Sequence, residues 1–299
     1  MNVYSEINSN KLKTYLALIL FVIFVSFVAF VIGKALGFEG GGLLILSFFI
    51  SLFMSFISYF FSDKIVLSLH GAHEANREEH FDLYTVTENL ALAAGLPKPR
   101  VYIIPDSAPN AFATGRDYKH SVVVVTQGLL EVLDRRELEG VIAHELSHIK
   151  NYDILLMTVV SVLVGVIVYL TDFFMRSLWW RNRDNNREGS AIMMVIAIAV
   201  AVLSPILATL LQLAVSRRRE FLADASAAYI TRYPAGLASA LEKIAQNPHR
   251  LSTASNGTAH MFIENPFGAD SKALKTSWWI RLFSTHPPVE ERIAKLQSM

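Results

Sequence analysis

Four long apolar stretches constrain the fold of this chain more than any other feature. They run from about Tyr15 to Gly33, from Gly41 to about Phe61, from Ile154 to about Phe174 and from about Ala191 to Val215. Each approaches the roughly 20 apolar residues that a helix needs to cross a bilayer. The whole chain is 53% hydrophobic and only 18% charged, whereas average soluble domains are less apolar. We therefore expect an integral, multi-pass membrane protein.

The stretches differ in how firmly they predict a span. The first is interpreted as a retained anchor and not as a signal peptide, because it is long, has no clear cleavage site and is soon followed by a second span. The third and fourth also allow another interpretation, a buried helical hairpin in a soluble core. Pro205 in the fourth is compatible with a membrane helix, which it would kink.

These stretches divide the chain into four predicted parts. They are an N-terminal membrane hairpin (1–63), the first half of a soluble domain (64–153), a second membrane hairpin (154–216) and the second half of the soluble domain (217–299). The predicted fold is mainly α-helical with a small β-sheet, an α+β domain joined to transmembrane helices.

Local patterns place the elements of the soluble halves. A helical, charged run is expected around His70 to His80, and Asp134 with Glu137 has the spacing of a capping box at the start of a helix. Further helices are expected at Tyr84–Ala94, ended by Gly95, and at Glu220–Ile230, Gly236–Ile244 and Pro287–Leu296. Strands are expected at Arg100–Ile104, Ala111–Thr114 and Ser121–Thr126. A long loop is expected at Asn247–Lys272.

The helix that begins at Asp134 carries the segment His144-Glu145-Leu146-Ser147-His148. Residues four apart lie on one face of a helix, so both histidines can bind one metal ion. Glu145 is placed to hold a water molecule and take its proton. This is the H-E-x-x-H pattern of zinc metalloproteases; the alternative is an ordinary solvated helix.

A catalytic zinc takes three protein ligands, so a third must come from elsewhere. Glu220 and Asp224 lie four apart on one predicted helix; Glu220 could bind the metal while Asp224 orients a ligand histidine. If the third and fourth stretches both span the membrane, His148 and Glu220 emerge on the same side. The alternative is that Glu220 is a surface carboxylate that neutralises the three arginines at positions 217–219.

Composition narrows the remaining choices. The chain has no cysteine, which excludes disulfides and cysteine-based zinc sites. A net charge of +1 gives no indication of a nucleic-acid partner. Histidine and glutamate ligands suit zinc but also iron, cobalt or nickel. Among the other histidines, His286 differs because two prolines follow it and fix the backbone, so it could donate a hydrogen bond to a developing oxyanion.

The chain resembles the HtpX-type membrane zinc proteases, from the metallopeptidase family that also includes the CAAX prenyl proteases. The resemblance covers nearly the whole chain and includes the paired N-terminal spans. Its motifs, in matching order and spacing, are Pro109-Asn110-Ala111-Phe112-Ala113-Thr114-Gly115, the His144 to His148 segment, Arg219-Glu220-Phe221-Leu222-Ala223-Asp224 and Thr285-His286-Pro287-Pro288.

The resemblance implies a gluzincin-like endopeptidase with one Zn²⁺ per chain, in which each motif has a role. It implies zinc ligands at His144, His148 and Glu220, a general base at Glu145, a ligand-orienting carboxylate at Asp224, a stabiliser of the tetrahedral intermediate at His286 and a substrate-binding edge strand at Asn110, Ala111, Phe112 and Ala113. It also implies damaged or misfolded membrane proteins as substrates, and a bacterial cytoplasmic membrane with the active site facing the cytoplasm. The positions of lysine and arginine favour that orientation modestly, with the arginine-rich loop after the third stretch as the exception.

Three other functions stay open. A site-specific processing protease of the CAAX prenyl type would be expected to carry more membrane helices. A membrane scaffold with a purely structural zinc would have no need of Glu145. A zinc hydrolase acting on non-peptide substrates would have no need of an edge strand near Asn110. The oligomeric state is not indicated by the sequence.

Overall fold

The computed structural model describes residues 3–35, 42–181, 217–247, 249–255, 257–267 and 287–299. The described helices are α1 (Val3–Ala35), α2 (Gly42–Leu69), α3 (Phe81–Ala94), α4 (Gln127–Val132), α5 (Arg135–Lys150), α6 (Asp153–Arg181), α7 (Arg217–Thr231), α8 (Pro234–Gln246) and α9 (Val289–Gln297), with a 3₁₀ turn at Ala259–Met261. The strands are β1 (His73–Glu74), β2 (Arg100–Ile104), β3 (Ala111–Gly115) and β4 (Ser121–Thr126). The fold is mainly helical with one small sheet, which confirms the expected class.

Two of the described helices are long and apolar enough to cross a membrane, over Ile7–Phe27 and Leu44–Leu69. They belong to α1 and α2, which pack against each other with small polar contacts; the hydroxyl oxygens of Ser26 and Ser51 lie 3.3 Å apart. The first half of α6 packs on both helices. The fourth apolar stretch lies outside the described residues, so a second membrane hairpin stays a prediction.

The sheet has the strand order β1-β2-β4-β3, so β3 lies at one edge. β2 and β4 are parallel, and the other two pairs are antiparallel. Every residue of β3 and β4 is buried, because α5 covers one face while α2 and α6 contact β3. Burial on both faces explains the continuous valine run 122–125.

Helix α5 is fixed at its start and along its length. The carboxylate of Asp134 accepts from the backbone N–H groups of Arg136 and Glu137, and Glu137 in turn accepts from the N–H of Asp134, which is the predicted capping box. In the middle, a side chain on Gly140 would lie 2.7 Å from the backbone nitrogen of Leu237, so glycine is needed where α5 crosses α8. Helix α5 is thereby anchored in the core.

The structure corrects one expectation and adds one element. Residues 70–80 were expected to be helical, but α2 ends before Gly71, which has a left-handed φ of 61°, and β1 then pairs with β2. The charged residues of this segment are typical of helices, yet the backbone hydrogen bonds go to the sheet edge. The added element is the short helix α4, which contains Gly128; a Cβ there would come within 2.0 Å of the carbonyl oxygen of Ser107.

Candidate active site

Three buried side chains from two helices converge at the end of α5. His144 and His148 come from α5 and Glu220 comes from the first turn of α7. The Nε2 atoms of the two histidines are 3.2 Å apart. Glu220 Oε2 lies 3.7 Å from His144 Nε2 and its Oε1 lies 3.6 Å from His148 Nε2. These three residues, here called the metal group, could together hold a metal ion.

The spacing of this group fits a four-coordinate metal. Ligand bonds of about 2.0–2.2 Å hold the ligand atoms of a tetrahedral site about 3.3–3.6 Å apart. The separations of 3.2, 3.6 and 3.7 Å are close to those edges. The two Nε2 atoms therefore both face the carboxylate of Glu220, at distances that one ion placed among the three groups could bridge.

His144 is backed by a carboxylate that is itself held by an arginine. Its Nδ1 lies 3.0 Å from Oδ1 of Asp224, so Nδ1–H donates there and Nε2 is left as the acceptor. Arg292, fully buried on α9, donates to both carboxylate oxygens of Asp224 at 2.7 and 2.9 Å. The guanidinium and the carboxylate together fix the orientation of the imidazole.

His148 has a parallel arrangement that reaches into a membrane helix. Its Nδ1 lies 2.9 Å from Oδ2 of Asp153, the first residue of α6. The other oxygen of Asp153 accepts from the side-chain amide of Asn10 at 2.7 Å. Arg219 donates to the Asn10 oxygen at 3.0 Å and lies 3.6 Å from Asp153. Residues on α1, α6 and α7 thus hold one metal-site histidine.

The backbone places Asp153 beside His148 through a sharp bend. Helices α5 and α6 are separated only by Asn151 and Tyr152, and their axes differ by 83°. Tyr152 has a left-handed φ of 58°, which is uncommon for a residue with a side chain. The bend returns the first turn of α6 to the end of α5, so the His144–His148–Glu220 group lies beside it.

The charges around the site shift the pKa values of its groups. Burial lowers the pKa of His148, but the hydrogen bond to Asp153 and the charge of Glu220 outweigh burial and raise it to about 9. Burial also lowers the pKa of His144. The hydrogen bond to Asp224 acts in the opposite direction but is outweighed, so the pKa of His144 is lowered overall. Burial raises the pKa of Asp224, but the charge of Arg292 and the hydrogen bond to His144 outweigh the effect of burial. The pKa of Asp224 is therefore lowered to about 2. Asp224 is therefore a carboxylate at neutral pH.

Two predicted catalytic residues differ in how the structure places them. Glu145 is buried beside its neighbour His144 on α5, and its charge is one of those that raise the pKa of His148. It is therefore close to the metal group. His286 lies outside the described residues.

The predicted substrate-binding residues lie at the sheet edge next to α5. Phe112 packs its ring against Phe262, with centroids 4.9 Å apart, on the side of the core. Since the carbonyl of Asn110 bonds to the N–H of Thr126 on β4, the strand alternation turns the backbone of Ala111 and Ala113 to the outer edge. Within the described ranges, no hydrogen bond reaches the backbone of Ala113.

Part of this edge is already used by the chain itself. The N–H of Ile263 donates to the carbonyl of Ala111 at 2.9 Å, and Arg292 donates to the carbonyl of Ile263 at 3.0 Å. The side-chain amide of Asn110 donates to the carbonyl of Glu264 at 3.0 Å. Ile263 thus bridges the edge strand and the arginine behind the metal group.

Arg292, Asp153 and Asn10 were missed by the sequence analysis. Arg292 had a usable signal: it lies on the face of α9 that also carries Val289, Ile293 and Leu296, three residues that contact the core. A charged residue within such an apolar stripe indicates a buried ion pair. Asp153 and Asn10 had no such pattern, because each precedes an apolar span where polar residues are ordinary.

The chain is similar to known peptidases over most of its length. Residues 77–299 match the model of peptidase family M48. A protein named "Protease HtpX homolog" from Thermoanaerobacter pseudethanolicus is 46% identical over 295 residues, which cover 97% of this chain and 95% of that one. Another with that name, from Pyrococcus furiosus, is 51% identical over 271 residues and 90% of each chain.

Among solved structures, S. mikatae Ste24p is similar with a TM-score of 0.48 and 18% identity, over 92% of this chain and 61% of that one. This likeness is too weak to bear on the function. The family match and the curated relatives, in contrast, cover most of the chain. With its two apolar helices and its buried His-His-Glu group, the chain is a membrane-bound metalloprotease and belongs to peptidase family M48.

Proposed function

We propose that the protein is a zinc endopeptidase in which His144, His148 and Glu220 hold one Zn²⁺. The observation that carries the proposal is the set of ligand-atom separations, 3.2 to 3.7 Å, among three buried groups. The donor set of two imidazoles and one carboxylate is the one found in catalytic zinc sites that keep a fourth position for water. Asp224 and Asp153 orient the two imidazoles.

In this proposal Glu145 is the general base. Bound zinc supplies Lewis-acid chemistry, since it acidifies water and polarises a carbonyl oxygen. Glu145 takes the proton from the attacking water and hands it to the leaving amine. His286 is proposed to donate a hydrogen bond to the tetrahedral intermediate, on the grounds of the fixed backbone before Pro287 and Pro288.

Substrate is proposed to add to the sheet edge as an extended strand, along Asn110 to Ala113. Support comes from Ala113, which is buried and has its backbone N–H and C=O on the outer side of the edge. Buried backbone groups of this kind are nearly always paired. A peptide strand beside α5 would pair them and lie next to the metal group.

The test is proteolysis of an unfolded protein such as casein by detergent-purified enzyme. Wild type is compared with chelated enzyme, chelated enzyme with zinc restored, and Glu145→Gln. Glu139→Gln is the matched control, because Glu139 is on the same helix but partly exposed and paired with Arg135 at 3.7 Å. Cleavage should follow zinc, persist in Glu139→Gln and vanish in Glu145→Gln. Cleavage by Glu145→Gln at the wild-type rate would rule out the proposed base.

We further propose that the substrates are misfolded or damaged membrane proteins in a bacterial cytoplasmic membrane. The support is the direct bond from Asn10, near the start of the span Ile7–Phe27, to Asp153 at the metal site; the active site is therefore close to the membrane surface. Degradation of a destabilised membrane protein at many positions supports this role. A single cut at a fixed site would favour a processing protease instead.

Orientation can be measured with introduced cysteines, since the chain has none. A cysteine at Arg77 or at Lys295 lies on the exposed surface of the protease part. In intact cells, an active site that faces the cytoplasm leaves both positions unlabelled by a membrane-impermeant thiol reagent until the cells are lysed. Labelling before lysis would place the site outside.

A further inference from the structure

A second cleft, which shares no residue with the metal group, lies where α2 meets the sheet. Its volume is about 570 Å³, a size common for sites that take small molecules. One wall is apolar and comes from α2, with the rings of Phe56, Phe60 and Phe61. A second wall is basic and comes from five lysine and arginine residues, of which Lys64 is also on α2: Lys64, Lys98, Arg100, Arg116 and Lys119.

The basic wall has an excess of positive charge. Arg100 pairs with Asp63 at 2.9 Å, Lys98 with Glu88 at 2.8 Å and Arg116 with Asp117 at 3.6 Å. Lys64 and Lys119 are exposed, and in the part of the chain that the structure describes neither has a carboxylate within 4.0 Å. Two cations therefore have no counterion in the cleft.

The apolar wall belongs to a membrane-spanning segment. Phe56, Phe60 and Phe61 are exposed by 54%, 39% and 44% and lie within the span Leu44–Leu69. Their rings are therefore at the depth of lipid chains or at their upper end. The sequence turns from Phe61 to Asp63 and Lys64 at this point, which places the basic wall at the depth of lipid headgroups.

The two walls are in direct contact. The Arg116 guanidinium carbon lies 5.6 Å from the ring centroid of Phe60, and Arg116 also donates to the Phe60 carbonyl at 3.4 Å. The ammonium of Lys64 lies 5.5 Å from the centroid of the Phe61 ring. A ligand for this cleft needs an anionic group joined directly to an apolar chain.

We propose that the cleft binds an anionic phospholipid, with its phosphate on Arg116, Lys119 and Lys64 and an acyl chain along Phe56 and Phe60. Basic pockets at the membrane surface select such headgroups. A free phosphate or an acidic peptide would satisfy the cations but would supply no apolar chain for the phenylalanine wall. The site is separate from the metal group and does not depend on the proposed protease activity.

The experiment measures lipid binding by the full-length protein in detergent, with native mass spectrometry and thermal unfolding as readouts. The probes are phosphatidylglycerol, phosphatidylcholine of equal chain length, glycerophosphoglycerol without chains, inorganic phosphate and a polyglutamate peptide. Phosphatidylglycerol should bind at least tenfold more tightly than each of the others. Equal binding of phosphatidylcholine, or stronger binding of phosphate or polyglutamate, would overturn the proposal.

Variants locate the site. Arg116→Gln/Lys119→Gln should weaken phosphatidylglycerol binding about 10- to 30-fold. This loss is the product of the contributions that the two cations, both near the membrane surface, make to the affinity. Arg136→Gln/Lys295→Gln removes the same charge from exposed positions elsewhere and should bind like wild type. If the first pair does not fold, the exposed Lys119→Gln alone is used, with a loss of a few fold expected. Equal affinity in the cleft variant and the control contradicts the assignment.

Discussion

The Nδ1 atom of His148 lies 2.9 Å from Oδ2 of Asp153, across the bend between α5 and α6. Asp153 is held in turn by Asn10 of α1 and lies near Arg219 of α7. One carboxylate therefore connects a proposed zinc ligand to a helix that is long and apolar enough to span the membrane. The position of α1 and the orientation of His148 depend on each other.

Replacing Asp153 by asparagine should weaken zinc binding. Carboxylates that orient a ligating histidine contribute about 10- to 100-fold to metal affinity. Asp153→Asn keeps the shape but loses the charge that holds the imidazole, so a loss in this range is expected. Competition with a chromophoric chelator measures it. Asp82→Asn, an exposed carboxylate on α3 that pairs with Arg135, is the control and should retain wild-type affinity.

Asn10→Ala should have a smaller effect of the same kind. The change removes the hydrogen bond to Asp153 at 2.7 Å and the acceptor for Arg219, but Asp153 keeps His148 and the nearby Arg219. We expect zinc affinity to fall a few fold, with helix content unchanged by circular dichroism. Unchanged zinc affinity would mean that α1 does not influence the metal site.

Arg292→Gln should destabilise the protein strongly. It leaves the carboxylate of Asp224 buried without its guanidinium, and breaking one partner of a buried pair costs about 3–5 kcal/mol. Thermal unfolding in detergent, with zinc present and absent, measures the loss. The single variant Asp224→Asn and the double variant Arg292→Gln/Asp224→Asn complete the cycle. The double variant removes both charges and should recover part of the stability lost in Arg292→Gln. If the double variant is as unstable as the sum of the singles, the pair is not coupled.

Zinc affinity of the metal-free enzyme should rise with pH up to about 9. His148 must be neutral to bind a metal, and its pKa in the metal-free site is raised to about 9. Below that pH the proton competes with zinc, so the apparent affinity should increase about tenfold per pH unit from pH 7 and level off above the pKa. Calorimetry in two buffers of different ionisation enthalpy should show close to one proton released per zinc at pH 7. No proton release would contradict the raised pKa.

Local patterns predicted most of the elements. Strands β2 and β4 have the predicted ends, because apolar runs bounded by proline and glycine have few other conformations. The capping box at Asp134 was readable for the same reason, since all its groups lie within four residues. The metal-binding spacing on α5 is also local, as it needs only one turn of helix.

Contacts between distant residues could not be predicted in this way. Asn10 and Asp153 are 143 positions apart, and Asp224 and Arg292 are 68 apart. In neither pair does the sequence around one residue indicate which distant residue it contacts. The prediction of a helix at residues 70–80 was wrong for a related reason, because strand β1 forms there only by pairing with β2. Tertiary pairing outweighed the local preference there.

The bond from Ile263 to Ala111 has a consequence for which polypeptides can be cut. A substrate strand that bonded to this carbonyl would have to displace a segment of the same chain, and that segment competes at an effective concentration that does not depend on the enzyme concentration. Dilution of the enzyme does not weaken this competitor. If substrate binds along this edge as proposed, we expect a short, loosely held segment to lose this competition and a long unfolded one that pairs with several edge groups at once to win it. Under that proposal, the bond from Ile263 to Ala111 sets a threshold on the length and disorder of a substrate.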